Sequence, residues 1–297
     1  MEKYRQFAHP GTGINPFIPP NVHRKPGTWE KVIFIVTLPL NLVRAVLLLI
    51  ACTLWNVLDR LPLREYPVSL LTNAMLYLIG FSRVASIQPD SRKLRVMLPN
   101  DNKTSDYVII SQYQSACDIL VFSARVAPVY FGFIASDGKV KLARSVSAFI
   151  LALQPQPEIG DIPLDEFLTT KSLGVRVLFA EGARTNGTGV LAWPRGLSEI
   201  VKQKPIAHSS IKYSTSASLN HCTGDGWEFI KNLMYYWGYS AESVILPPVV
   251  SDDPRGLFVR VASTGRADPV ADTNLTAATA RDFEKFWNLT QGQYKID

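Results

Sequence analysis

The chain has 297 residues, 47% of them hydrophobic, which suffices for one large or two small domains with a sizeable buried core. Lys and Arg number 31 against 25 Asp and Glu, a formal net charge of +6 that suits anionic neighbours such as phospholipid headgroups. The three cysteines, Cys52, Cys117 and Cys222, have neither paired nor metal-ligand spacing and argue against a disulfide framework or a zinc site.

Residues 32–58 are almost continuously apolar, and about 20 such residues cross a bilayer core of roughly 30 Å. Pro39, Asn41 and Arg44 interrupt the run, and an arginine at mid-membrane costs about 2.5 to 3.5 kcal/mol on insertion scales. A kinked or re-entrant hairpin with Arg44 near headgroups relieves that cost; a straight span is the other reading. The run starts too far in and is too long for a cleaved signal. A second apolar segment, 68–80, places Leu71, Met75, Leu78 and Ile79 at helical spacing and ends at Gly80. It reads as an interfacial helix or as a core helix. Residues 1–85 are therefore expected to form an N-terminal segment and membrane anchor, and residues 86–297 an α/β domain.

Beyond residue 85, short apolar runs alternate with helical stretches, which implies a mixed sheet flanked by helices. Strands are expected over 94–98, 107–111, 129–134, 175–179, 206–213, 244–250 and 257–261. Ser115 is a helix N-cap, Asp161 with Pro163 opens a second helix, and Thr276 opens a C-terminal helix containing Phe283, Phe286 and Trp287. The polar run 214–226 reads as an exposed loop.

Two strand ends carry polar chemistry: Ser111 is followed by QYQSACD, and Phe179 by AEGART. Open α/β sheets collect ligands at the carboxyl ends of their strands. Gly182 permits a sharp turn, Arg184 offers a planar fork for phosphate, and Glu181 can hold that fork or a ligand hydroxyl. A plain turn is the bland alternative. The basic run Lys139, Lys141, Arg144 suits phosphates or headgroups, or is a solvated helix face; Arg195 is a further phosphate candidate. No G-x-G-x-x-G follows a strand, and the scattered charge is a poor fit to nucleic acid.

The run from Phe179 to Thr185 resembles the third block of the glycerolipid acyltransferase superfamily, roughly F-P-E-G-T-R-S, with Glu181, Gly182 and Arg184 matching. VLAWPRG followed by KPIAHSSIKY resembles the stretch into the fourth block, with His208 where a proline is usual. The opening MEKYRQFAHPGTGINPFIPP, then HRKP, is similar to the start of fungal lysophosphatidic acid:oleoyl-CoA acyltransferases. The resemblance runs to about Tyr213.

It implies a membrane-associated enzyme of lipid metabolism that transfers an acyl group from acyl-CoA to a lysophospholipid, converting lysophosphatidic acid to phosphatidic acid. The implied place is the cytosolic face of the endoplasmic reticulum or lipid droplets, with no cofactor beyond acyl-CoA as donor substrate. The implied catalytic residues are Asp118, Tyr113 and Glu181; the implied substrate contacts are Gly182, Arg184, Thr185 and Arg195. One departure stands out: where the first block places a histidine five residues before its aspartate, this chain has Tyr113 before Asp118. A phenol titrates near pH 10 and serves as a neutral-pH base only if its pKa falls. The remaining options are a partly ionised Tyr113, a histidine brought from elsewhere (His208 or His221), or catalysis by positioning alone. The alternative function is a catalytically inactive acyltransferase fold that binds acyl-CoA or phospholipid as a membrane regulator or trafficking factor.

Overall fold

The computed structural model describes residues 2–18, 28–58, 65–86, 107–126, 130–170, 175–202, 204–213, 226, 229–230, 233, 238–266 and 268–293. The segment expected as a strand at 94–98 and all but Gly226 of the loop expected over 214–226 lie outside them, as does His221; Gly226 itself is helical.

A seven-stranded mixed sheet forms the centre. Its strands are β1 (Phe81–Ser86), β2 (Val108–Ser111), β3 (Tyr130–Ile134), β4 (Val140–Arg144), β5 (Arg176–Phe179), β7 (Ile206–Tyr213) and β8 (Tyr239–Ile245), in the order β1-β8-β7-β2-β5-β3-β4. β7, β2, β5 and β3 run parallel, β8 and β4 antiparallel to their neighbours β7 and β3, and β1 parallel to β8. The short β6 (Gly189–Val190) and β9 (Ala271–Asp272) pair separately. Central parallel strands are buried on both faces, which is why Val-Ile-Ile and Val-Leu-Phe read as unbroken apolar runs.

Alternate residues feed two layers. On one face Ile109, Val177 and Phe179 meet α3 (Cys117–Val126), α4 (Ser145–Leu153), α2 (Glu65–Ile79) and the Ala51 and Trp55 side of α1 (Thr28–Leu58). On the other, Ile110, Leu178 and Ile206 meet α5 (Leu164–Thr169), α6 (Leu197–Lys202) and α7 (Pro254–Ser263). A 3-10 helix over Glu2–Phe7 lays Tyr4 and Phe7 against Phe283 and Phe286 of α8 (Ala277–Gln293), and Phe17 joins them.

The expected α/β class with N-terminal apolar helices is the observed architecture. Local departures have physical causes. Residues 257–261 are helical: Asp253 caps α7 by accepting from Gly256 N at 2.8 Å, and Pro254 occupies the first turn. β8 starts earlier than expected and stops at Ile245, before Pro247 and Pro248, which have no N–H for a ladder. The basic run at 139–144 lies largely on edge strand β4 rather than on a helix. Lys141 pairs with Asp161 at 2.6 Å, and Arg144 sits over the Tyr130 ring. Asp161 thus serves β4 and not a helix start; Pro163 holds the N-cap position of α5, with its carbonyl accepting from Phe167 N at 3.1 Å.

α1 runs unbroken through Pro39, and Ile35–Leu58 is long and apolar enough to cross a membrane by length and composition. Arg44 is turned inward, against the expectation of headgroup contact. Its Nε donates to Leu78 O at 2.7 Å, a carbonyl left over at the end of α2, and one terminal nitrogen donates to Asn41 Oδ1 at 2.9 Å. Acceptors within the chain thus take part of the guanidinium's hydrogen-bonding capacity. Ile35, Val36, Leu42 and Leu49 point outward, together with Leu70 and Tyr77 of α2.

Candidate active site

The two segments singled out after Ser111 and Phe179 meet at the carboxyl edge of β2 and β5, which pair in register with Ser111 beside Phe179. Gly182 adopts φ +68°, a conformation that permits the turn at low cost only to glycine. The turn brings Glu181 back across the edge. Its two carboxylate oxygens accept from Leu191 N at 2.7 Å and from Tyr113 N at 3.2 Å, so one buried side chain clamps three segments. Thr185 N donates to Tyr113 O at 2.9 Å and completes the seam. Burial pushes the Glu181 carboxyl up to about 8, against the pull of the two N–H groups.

Tyr113 and Arg184 share a partner. The Tyr113 hydroxyl donates to Ala152 O at 3.0 Å and Arg184 donates to the same oxygen at 2.8 Å. Phe179 lies against the Tyr113 ring at a centroid distance of 4.6 Å and Phe133 stands edge-on at 5.7 Å. Burial drives the phenol pKa above its usual value more strongly than the Arg184 charge draws it down, so the group stays protonated at neutral pH. In this geometry it is a donor.

Asp118 faces elsewhere. Oδ2 accepts from Gln114 N at 2.8 Å and Ser115 N at 3.0 Å, while Ser115 Oγ accepts from Cys117 N at 3.1 Å. Ser115 and Asp118 thus cap α3 reciprocally, and Oδ1 accepts from the Tyr213 hydroxyl. Burial raises the Asp118 carboxyl to about 6 although Tyr213 and both N–H groups pull it down. The aspartate is 1% exposed and is not part of the cleft wall.

His208 sits in the opposite layer. It bonds Pro254 O at 3.1 Å beside Phe258, and burial lowers it to about 4. The sheet separates it from Asp118. His9 bonds Thr12 far from this edge in the sequence, and Arg195 is exposed.

The cleft above the turn holds about 30 Å³ of space. Tyr113, Phe133, Phe179 and Leu151 form its apolar side, and Gly182 and Arg184 its turn. Sequence reasoning missed the rest of the wall. Residues 154–157 follow α4, while Ala280, Arg281 and Glu284 come from α8, whose inward face is signalled only by its amphipathic spacing. Burial raises the Glu284 carboxyl, and the Arg184 charge opposes that shift. Among the described residues, no group of three His, Cys, Asp or Glu is placed to hold a metal ion.

No family model matches the sequence, and no curated protein matches it. Among solved structures, the crystal structure of the 1-acyl-sn-glycerophosphate (LPA) acyltransferase PlsC from Thermotoga maritima is similar at 17% identity and a TM-score of 0.41. The match covers 82% of this chain and 94% of that one.

Proposed function

We propose that this chain transfers an acyl group from acyl-CoA to the free hydroxyl of a lysophospholipid, with lysophosphatidic acid as acceptor and phosphatidic acid as product. One observation carries the reading: the Tyr113 N to Glu181 hydrogen bond, which joins segments 68 residues apart. It brings the E-G-A-R turn, which resembles the third acyltransferase block, and the Q-Y-Q-S-A-C-D segment, which keeps the first block's aspartate but not its histidine, to one strand edge. Glu181 positions both segments, Arg184 supplies charge for an anionic substrate, and Gly182 and Thr185 shape the turn. Asp118 acts through the cap of α3, and Arg195 remains a peripheral phosphate contact. The outward apolar face of α1 seats the chain on a membrane, at the cytosolic face of the endoplasmic reticulum or on lipid droplets, where such acceptors lie.

A catalytically inactive lipid-binding protein is the second reading. It is favoured by Tyr113 replacing the expected histidine and by Asp118 bonding Tyr213 in place of an imidazole. The deciding experiment incubates the purified full chain in detergent micelles with labelled oleoyl-CoA and a panel of lysolipids. Labelled phosphatidic acid is the expected product. Retention of oleoyl-CoA without ester formation from any lysolipid would establish the second reading instead.

A further inference from the structure

Two hydrogen-bond donors converging on one carbonyl oxygen form an arrangement suited to a second carbonyl. Tyr113 Oη and Arg184 approach Ala152 O to 3.0 and 2.8 Å, within the range at which donors stabilise an oxygen gaining negative charge. Both donors are held rigidly: the Tyr113 ring is flanked by Phe179 and Phe133, and Arg184 is 6% exposed. Ala152 lies in the last turn of α4, where carbonyls have no partner within the helix.

The cleft supplies the second argument. Because Ala152 O already occupies the point on which both donors converge, the segment that carries it must shift before another carbonyl can take that place. Leu151 and residues 154–157 make one wall and continue directly from Ala152. Pro155 and Pro157 lack N–H groups, and the segment is tethered where Gln156 donates to Ile134 O at 2.8 Å and Pro157 O accepts from Ser136 N at 3.1 Å. A shift of this segment that carried Ala152 out of its core position would open the cleft and uncover both donors.

Resting on the acyl-transfer reading, we infer that Tyr113 and Arg184 hold the thioester carbonyl oxygen of the acyl donor, a position that Ala152 O fills while the cleft is shut. In the step, the acceptor hydroxyl oxygen bonds to the thioester carbon and the carbonyl electron pair moves onto the oxygen between the two donors. That pair then re-forms the C=O bond, the C–S bond breaks with its electrons on sulfur, and the hydroxyl proton passes to the departing thiolate, giving ester and CoA thiol. Tyr113 keeps its proton throughout. Burial, which raises its pKa, favours this role over that of a base.

The test uses the full chain in micelles with oleoyl-CoA and lysophosphatidic acid. Tyr113→Phe should lower kcat by about 100-fold or more, with KM for both substrates nearly unchanged and the pH profile keeping its shape. The ¹³C-carbonyl stretch of bound [1-¹³C]oleoyl-CoA should lie at lower frequency in wild type than in Tyr113→Phe, and Arg184→Lys should fall between them. A Phe variant with lowered Tm but wild-type kcat and an unshifted band reduces the pair to a helix cap and overturns the inference. Wild-type activity that climbs as the phenol ionises, and is absent from the Phe variant, makes Tyr113 a base and overturns it too. Should the Phe variant fail to fold, the band in Arg184→Lys decides: a frequency above that of wild type supports the pair, and an equal frequency overturns it. A wild type that shows the shifted band yet forms no ester upholds the donor pair and defeats the transfer reading alone.

Discussion

The Tyr213 hydroxyl donates to the Asp118 carboxylate, joining the end of β7 to the start of α3 across 95 residues. Both side chains are buried, and the other carboxylate oxygen is taken by two backbone N–H groups. Tyr213→Phe leaves one buried carboxylate oxygen without its donor, which should cost about 1–3 kcal/mol. The Asp118 carboxyl should then rise beyond about 6, having lost the bond that draws it down. Urea unfolding with an unchanged midpoint in the Phe variant would refute this.

Glu181 should leave a mark on stability against pH. Its folded pKa, about 8, lies above the ordinary 4.5, so the folded chain binds this proton more tightly than the unfolded chain does. Its contribution is therefore fully present below the unfolded pKa and is lost as pH rises through the folded one. Glu181→Gln should flatten the decline of Tm between about pH 5 and pH 8 relative to wild type, whatever its effect on the absolute Tm. Parallel Tm curves for the two proteins over that range would show that the carboxyl is ionised throughout.

Gly182→Ala tests the turn. A side chain at φ +68° costs about 1–2 kcal/mol. The added Cβ would stand 3.0 Å from Gln156 Nε2 and 3.3 Å from Ile134 O, forcing apart the bond that tethers residues 154–157. The expected result is a lower Tm, read by circular dichroism; a Tm equal to wild type would mean that the turn adopts another conformation.

The outer face of α1 and its inner face should respond oppositely to substitution. Ile35, Val36, Leu42 and Leu49 are 67%, 73%, 61% and 69% exposed. Replacing all four by serine should abolish flotation with phospholipid vesicles while leaving the urea midpoint nearly unchanged. Trp55 is 1% exposed, and Trp55→Ala should cost about 3–5 kcal/mol without releasing the chain from vesicles. Vesicle binding by the serine variant would place the membrane contact on another surface.

The centre of the sheet is legible in the sequence because β2, β3 and β5 are buried strands whose apolar runs need no partner to be recognised. β1 is hidden: Phe81–Ser86 shows neither a continuous apolar run nor a clean alternation, lies at a sheet edge and follows closely on an apolar helix. The dense apolar stretch at Leu257 and Phe258 reads as a strand because, in so short a window, apolar density masks the Asp253–Pro254 cap that makes it a helix. At the candidate site, the E-G-A-R turn and Tyr113 can be singled out from local sequence. The capping role of Asp118 is half visible in Ser115, but its Tyr213 partner is not, since a contact across 95 residues has no local signature. Arg281 and Glu284 are invisible for the same reason.

The packing of Tyr4 and Phe17 onto Phe283 has a consequence for biosynthesis. Tyr4 and Phe17 precede α1 in the chain while their partner Phe283 lies on α8, and Asn186, directly after the E-G-A-R-T turn, bonds the backbone at Asn15, Pro16 and Ile18. α8 also supplies one wall of the cleft. A nascent chain can therefore bring the apolar face of α1 to a bilayer long before it can close the site. Closure of the site therefore waits for α8, whatever α1 has met by then.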